Sequence, residues 1–281
     1  MVLNFFRIPL LAAFLALGLP FFGIANAGQF KKIMIVIFEN TDADKAAKQP
    51  FFAEFAKMGA SFDNFYAETH PSQANYVALI SGALQNIRND SNVDIDALHI
   101  GDLLESAGKS WKVYAEDYPG NCFLGAKKDN YVRKHVPFLS FKSVQSSAAK
   151  CANIQDVVNL DSDIEKGTLP EFSLYIPNLQ NDGHDTNVEF ADAWAGKFIP
   201  TLLSNPKFMQ DMLVVLTFDE SSLSGKNRIY AAFFGNMVKG GVVNHSSLNH
   251  YSILRTVEDN LGLGTLHKND ETATIIDGIW K

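Results

Sequence analysis

The chain has 281 residues, of which 47% are hydrophobic, and its formal charge at pH 7 is −7. This length and apolar content allow a large core, arranged as one large domain or two small ones. The acidic balance excludes duplex nucleic acid as a principal partner, because backbone binding requires clustered Lys and Arg. A phosphorylated substrate is compatible with it, since a bound cation can reverse the sign of the local field.

The first predicted element is a secretory signal peptide over residues 1–27. Arg7 precedes an apolar run over residues 8–24, and a small-x-small cleavage site follows at 25–27. The alternative is a retained membrane anchor, which the Pro and Gly residues within the run disfavour. We therefore expect an exported protein, periplasmic or secreted, with no stable membrane anchor after cleavage. Residues 28–281 contain no repeat and no Pro/Gly/Ser-rich linker, which favours one domain.

Continuous apolar, β-branched runs predict four buried strands: Ile33–Phe38, Trp111–Ala115, Phe172–Ile176 and Met212–Phe218. Amphipathic segments of helical length lie among them, at residues 51–60, 75–84, 99–108, 188–205 and 250–262. Apolar runs without alternation suit parallel strands that are covered on both faces. The order of strands and helices predicts an α/β fold, a three-layer sandwich around a mostly parallel sheet.

Polar side chains follow every predicted strand, at its carboxyl end: Glu39-Asn40, Glu116-Asp117, Asn178 with Asp182 to Asp185, and Asp219-Glu220. Ligands of open parallel sheets bind at this edge. Acidic clusters that share one edge repel each other unless a cation lies between them. We therefore interpret Glu39, Asn40, Asp219 and Glu220 as oxygen ligands of a divalent cation. The alternative for each pair is capping of the next helix.

The string THPSQANYVALISG places Ser72 just before a predicted buried helix. Ser72 could act as a helix N-cap or as a nucleophile, and both roles use the same location. The helix N–H groups would stabilise an alkoxide and a bound phosphate, and a cation held by Glu39 and Asp219 that also touches Ser72 would activate its hydroxyl. Asn75 lies one turn further on and could donate to a phosphoryl oxygen. Thr69 is the competing nucleophile.

Two more features precede the third strand. Cys122 and Cys151 form an even pair in an exported chain, which predicts a disulfide, with two free thiols as the alternative. The basic triplet Arg133, Lys134 and His135 could contact a substrate phosphate or could form a solvated surface patch.

Histidines later in the chain are candidates for proton transfer or a second metal site. His184 lies between Asp182 and Asp185 in a tight loop, and imidazole with carboxylate can bind a transition metal or handle a proton. His250 begins a predicted helix and could be a ligand, a phosphate contact or a packed residue at the helix start. We interpret His245 as structural.

Seven strings in register resemble one family: FEN, THPSQANYVALISG, WKVYAED, YVRKHVPF, PNLQNDGHD, TFDE and HYSILRTVED. Together they resemble the phosphoesterase family of bacterial and fungal acid phosphatases and phosphatidylcholine-type phospholipases C. That family is similar in fold to the alkaline-phosphatase superfamily. The resemblance covers about Lys31 to about Gly262 and implies that residues 28–281 form a single catalytic domain.

The resemblance implies a metal at the strand ends, held by Glu39, Asn40, Asp219 and Glu220. It also implies that Ser72 is the nucleophile, because its spacing to Asn75 matches that of the attacking Thr in related phosphodiesterases. The identity and number of the metals stay open. We expect a metal-dependent phosphoric monoester hydrolase with a phosphoserine intermediate, acting on a small-molecule or lipid phosphate. The alternatives are a phospholipase C-type phosphodiesterase and a non-catalytic anion-binding protein.

Overall fold

A computed structural model describes Met1 and residues 29–223 and 226–281. The predicted signal peptide lies outside the described residues, apart from Met1. Among the described residues, no helix has both the length and the apolar character needed to cross a membrane.

An eight-stranded sheet forms the centre of the molecule. The strands in the described residues are β1 (Lys32–Phe38), β2 (Ala60–Phe62), β3 (Phe65–Tyr66), β4 (Trp111–Ala115), β5 (Lys127–Lys128), β6 (Tyr131–Val132), β7 (Ile154–Asp156), β8 (Phe172–Ile176), β9 (Met212–Phe218), β10 (Ala231–Phe234), β11 (Val242–Asn244) and β12 (Leu248–Asn249). The order in the large sheet is β11-β2-β10-β9-β1-β8-β4-β7, and β10 alone in this sheet runs antiparallel to its neighbours. Strands β12 and β3 pair in parallel, and β5 and β6 form a hairpin. The predicted α/β class with a mostly parallel central sheet is confirmed.

The helices are α1 (Ala43–Ala46), α2 (Pro50–Met58), α3 (Ser72–Ser81), α4 (Ile100–Ser106), α5 (Lys142–Gln145), α6 (Ala148–Cys151), α7 (Leu160–Lys166), α8 (Val188–Leu203), α9 (Pro206–Met209), α10 (His250–Leu261) and α11 (Asn269–Thr272). Helix α8 packs with α1, α2 and α9, whereas α3 packs with α4 and α10. These two groups cover the sheet, and the central strands β1 and β9 are buried along nearly their whole length. Their uninterrupted apolar sequence reflects burial of both faces.

Strands β1 and β9 pair in parallel from Lys32 opposite Met212 to Phe38 opposite Phe218. Because the last residues of both strands are opposite each other, the polar residues that follow leave the sheet at the same level. The amide of Asp219 donates to the carbonyl of Phe38 at 2.9 Å and so ties the two strand ends together. The register therefore fixes the carboxylates as neighbours.

A disulfide joins Cys122 to Cys151, as the even cysteine pair predicts. It connects the loop after β4 to the end of α6. Both residues precede β7, which lies at the edge of the large sheet next to β4.

Candidate active site

A buried cluster of polar side chains lies at the carboxyl edge of the sheet, around Glu39. Glu39 is 1% exposed, and its Oε2 accepts hydrogen bonds from the Ser72 hydroxyl at 3.1 Å and from the Asn40 amide at 3.0 Å. Its Oε1 accepts from the Tyr76 hydroxyl at 2.6 Å and lies 3.1 Å from His135 Nε2. Glu39 is therefore the hub of the cluster.

Asn40 and Asp219 form the second part of the cluster. The backbone N–H of Asn40 donates to Asp219 Oδ1 at 3.0 Å. Asn40 has φ of 49°, in the left-handed region that Asn tolerates better than most residues. This turn directs its amide side chain back onto Glu39.

Ser72 is the first residue of α3, and the N-cap is Pro71. The N-cap interpretation of Ser72 is thus corrected, because its hydroxyl donates to Glu39 and caps no backbone N–H. Ser72 is 2% exposed, and its hydroxyl partly offsets the rise that burial causes in the pKa of Asp219 and of Glu220. Its position at the start of a ten-residue helix places the helix N–H groups beside the hydroxyl.

His135 lies between two buried carboxylates. Its Nε2 faces Glu39, and its Nδ1 lies 3.3 Å from Asp182 Oδ2. The ring stacks on Tyr76 with centroids 4.9 Å apart. Burial lowers the pKa of the His135 imidazole well below its usual value. The sequence suggested a phosphate contact for this residue, whereas the structure places it within the carboxylate cluster.

The loop after β8 joins the cluster through Asp182. Its backbone carbonyl accepts from the Glu39 N–H at 3.0 Å, and its Oδ1 accepts from the His184 N–H at 2.7 Å. Gly183 has φ of 97°, which this tight turn requires. His184 Nδ1 lies 2.7 Å from Asp185 Oδ1, and the ring is at the rim with its side chain 31% exposed.

The carboxyl groups of the cluster are strongly perturbed. Burial raises the pKa of Glu39 well above its usual value, and the charges of Asp219 and Asp182 raise it further. Burial likewise raises the pKa of Asp219 and of Asp182 to about 7, and burial and then Asp219 raise that of Glu220 to about 8. Such a group of acids is stable in the ionised form only beside a compensating positive charge.

The donor set fits a divalent cation. Among the described residues, Glu39, His135 and Asp182 each direct one ligand atom into a region where these atoms lie within 4.8 Å of one another. Within the described part of the chain, Asp219 Oδ2, Asp182 Oδ2 and His135 Nε2 are buried and make no hydrogen bond of good geometry, although the last two lie 3.3 Å from His135 Nδ1 and 3.1 Å from Glu39 Oε1. Buried polar atoms are nearly always satisfied, and a bound ion is one explanation for these.

Asn75, Thr69 and His70 form the wall on the other side of Ser72. The Asn75 amide donates to the Thr69 carbonyl at 2.8 Å and to Glu220 Oε2 at 3.3 Å, and its oxygen accepts from the Thr69 N–H. The Thr69 hydroxyl donates to the carbonyl of His70. His70 Nδ1 lies 3.0 Å from Glu220 Oε2, a contact that the sequence reasoning missed.

Two predicted site residues lie outside the cluster. The Arg133 guanidinium donates to backbone carbonyls of Val93, Leu124 and Leu139, so it ties loops together. His250 Nε2 lies 3.0 Å from the carbonyl of Phe218, and burial lowers the pKa of the imidazole to about 4. Among the described residues, neither side chain has a hydrogen bond or ion pair with the carboxylates of the cluster.

The remaining predicted residues lie around the mouth of the cluster or away from it. Lys134 Nζ donates to Asp90 Oδ2 at 2.9 Å and lies 3.4 Å from His184 Nε2. His245 Nδ1 lies 2.7 Å from Asp63 Oδ2 on the surface. Tyr76 and Asp90 were missed because no local pattern in the sequence connects them to Glu39 or Lys134.

Comparison with known proteins shows the family to which the chain belongs. A family model described as the phosphoesterase family matches residues 45–264. The chain belongs to the phosphoesterase family. A probable acid phosphatase of Kluyveromyces lactis is 36% identical over 88% of this chain and 62% of its own length. A phosphatidylinositol-3-phosphatase of Mycobacterium tuberculosis is 32% identical over 88% of this chain and 82% of its own.

The phosphoesterase chain thus spans about three fifths of the length of the K. lactis relative.

Solved structures show the same fold. A protein of the alkaline phosphatase superfamily from Vibrio parahaemolyticus has a TM-score of 0.63 at 14% identity, covering 90% of this chain and 72% of its own. A phosphonate monoester hydrolase from Silicibacter pomeroyi has a TM-score of 0.57 at 11% identity, covering 89% and 78%. The alkaline-phosphatase-like architecture inferred from the sequence is confirmed.

Proposed function

We propose that this phosphoesterase is an exported, metal-dependent phosphoric monoester hydrolase in which Ser72 attacks phosphorus. The observation that carries the proposal is the 3.1 Å contact between the Ser72 hydroxyl and Glu39, inside a buried group of carboxylates. Relatives named acid phosphatase, at 32–36% identity, support the reaction class.

The metal site of the proposal is formed by Glu39, Asn40, Ser72, Asp219 and Glu220. A second group, Glu39 with His135 and Asp182, offers an adjoining set of ligand atoms. A bound divalent cation would lower the pKa of the serine hydroxyl and offset charge on the phosphoryl oxygens.

The reaction then proceeds in two displacements. Ser72 Oγ passes its proton to Glu39 Oε2, which accepts its hydrogen bond, and forms a bond to phosphorus as the bond to the leaving oxygen breaks on the opposite side, which gives a phosphoserine. Water then attacks that phosphorus, releases phosphate and regenerates the hydroxyl. His184 donates the proton that the leaving oxygen needs, and the carboxylate of Asp185 at 2.7 Å orients its ring.

Besides the cation, the phosphoryl oxygens need hydrogen-bond donors from the protein. The Asn75 amide already serves Thr69 and Glu220, so we propose that Asn75 fixes the loop beside Ser72. The remaining donors are the N-terminal N–H groups of α3 and the ammonium group of Lys134, whose side chain is 16% exposed.

Phosphate release from p-nitrophenyl phosphate, with and without chelator across a pH series, tests the proposal. Ser72→Ala should lower turnover by about a thousandfold or more and abolish a trapped phosphoenzyme, because no covalent intermediate can form. Thr69→Ala is the matched control and should keep most of the activity. An active Ser72→Ala with an inactive Thr69→Ala would transfer the nucleophile to Thr69.

The same assay separates the alternatives. Release of diacylglycerol from phosphatidylcholine without phosphate release from monoesters would indicate a phospholipase C-type phosphodiesterase. A flat baseline under all conditions would indicate an anion-binding protein. Phosphatidylinositol 3-phosphate belongs in the substrate panel because the M. tuberculosis relative is named for its hydrolysis.

The export part of the proposal is supported by the disulfide between Cys122 and Cys151, since such bonds persist in oxidising compartments. Fractionation of the producing cells, with mass measurement of the N-terminus, tests it. A protein that is retained in the cytoplasm with residues 1–27 intact would contradict export.

A further inference from the structure

Helix α3 begins without a side-chain cap. Its N-cap, Pro71, has no polar side-chain atom, so the first N–H groups of the helix need acceptors from elsewhere. The N–H of Gln73, the residue after Ser72, donates to Asp90 Oδ1 at 3.1 Å. Asp90 thus supplies the missing acceptor from a loop that lies beyond the end of the helix.

The other carboxylate oxygen of Asp90 accepts a hydrogen bond from Lys134, which is a proposed donor to the phosphate of the substrate. Lys134 Nζ donates to Asp90 Oδ2 at 2.9 Å, and the same nitrogen lies 3.4 Å from His184 Nε2. Asp90 is also close enough to raise the pKa of Glu220 by its charge. One carboxylate therefore holds the start of the nucleophile helix and the lysine in a fixed relation, next to the cluster.

We propose that Asp90 is a positioning residue, which holds the first turn of α3 and the Lys134 ammonium group where the phosphoryl group of the substrate meets Ser72. The inference rests on the proposed function. Without Asp90, Lys134 Nζ keeps its 3.4 Å contact with His184 Nε2, and the Gln73 N–H in the first turn of α3 loses its acceptor. Both changes misplace donors that must be aligned with the transition state.

The test compares Asp90→Asn and Asp90→Ala with the wild type in phosphate release. The amide oxygen of Asn can still accept from the Gln73 N–H but has no charge for Lys134, so we expect kcat to fall about tenfold. Ala removes both contacts, and we expect kcat to fall about a hundredfold and the inhibition constant of inorganic phosphate to rise. Asp96→Asn is the control, since its carboxylate is 88% exposed and lies 3.8 Å from Lys142 on the surface.

A double-mutant cycle shows whether Asp90 acts through Lys134. We expect Asp90→Asn with Lys134→Met to lose little more activity than Lys134→Met alone, because the two groups share one function. Losses that multiply would overturn the proposal. So would an unchanged kcat in Asp90→Ala together with a lower melting temperature, which would reveal a purely structural residue.

A lower inhibition constant of phosphate in Asp90→Ala would also overturn the proposal, because Asp90 would then compete with the substrate for these donors. If the wild type releases phosphate from no ester, the proposed function fails independently. In that case the affinity for inorganic phosphate, measured by calorimetry, still tests the positioning role of Asp90. Weaker binding by Asp90→Ala than by wild type would support the positioning role, and equal binding would refute it.

Discussion

At the scale of single residues, the hydroxyl of Tyr76 controls the hub of the site. It donates to Glu39 Oε1 at 2.6 Å from a fully buried ring that stacks on His135. We expect Tyr76→Phe to weaken metal affinity and lower kcat, each by about tenfold. The reason is that a group hydrogen-bonded to a metal ligand, here Tyr76 to Glu39, orients that ligand and tunes its charge. Metal titration followed by calorimetry, together with phosphate release, measures both quantities.

Tyr230→Phe is the matched control for Tyr76→Phe. Tyr230 is also buried, but its hydroxyl donates to the carbonyl of Phe52 at 2.7 Å, away from Glu39. Both variants should lose about 1 kcal/mol of unfolding free energy. An equal effect of the two on metal affinity would contradict a specific role for Tyr76.

At the scale of elements, Asp192 joins two helices. From α8 its carboxylate oxygens accept from the N–H groups of Phe51 at 3.2 Å and Phe52 at 2.8 Å, in the first turn of α2. We expect Asp192→Ala to lower the unfolding free energy by about 2 kcal/mol, since buried N–H groups lose their acceptors. Urea denaturation measures this. Activity per folded molecule should not change. Asn205 is the half-buried N-cap of α9, and Asn205→Ala should lower the unfolding free energy by less than Asp192→Ala does.

The sequence predicted the central strands well because each is buried on both faces and thus has an unbroken apolar sequence. Met212–Phe218 matches its predicted bounds, and β1 begins one residue earlier than predicted, at Lys32. Strand β10, Ala231–Phe234, was missed, since its short run of Ala and Phe has no pattern specific to a strand. Short strands such as β10, which lies between β2 and β9, depend on pairing with distant partners, and a local pattern does not contain that information.

The site was predictable where register alone decides it. Glu39 and Asp219 follow paired strands, so their proximity follows from the sheet. His135 and Asp182 come together through loops of irregular structure, and their contact with each other has no signal in the sequence. Likewise, Asp90 meets Lys134 across 44 positions of the chain.

Helix α10 contains a buried acid that makes stability depend on pH. Glu258 is 0% exposed, and burial, followed by the charge of Asp270, raises the pKa of its carboxyl group to about 9. The unfolded chain releases this proton near pH 4.5, so the folded state binds more protons between that pH and 9. Stability must therefore fall as pH rises through this window.

We expect Glu258→Gln to be more stable than the wild type at pH 8, by about 1–3 kcal/mol, and equal to it at pH 4. Gln has the shape of the protonated acid and cannot ionise on unfolding. Urea denaturation at both pH values measures the difference. A gain of the same size at pH 4 would show that the effect comes from packing and not from titration.

At the scale of the whole molecule, the proposed cation would connect elements that are distant along the chain. Its ligands follow β1 and β9 and begin α3, and the adjoining group adds His135 and Asp182 from two further loops. Removal of the cation leaves buried acids that repel one another, so the effect should be felt in global stability and not only in activity.

We expect chelation to lower the melting temperature by about 5–10 °C at pH 8 and by less at pH 5. Without the cation, the folded chain keeps protons on Asp219 and Asp182, whose pKa is raised to about 7, and on Glu220, whose pKa is raised to about 8. The unfolded chain releases them near pH 4, so the metal-free form loses stability as pH rises. Bound cation keeps these acids ionised in the folded state and removes this dependence. Calorimetric scans with and without chelator measure the difference. Glu39→Gln lacks the carboxylate at the hub of the cluster, so chelator should change its melting temperature little. Identical scans of the wild type at pH 8 with and without chelator would refute the metal site.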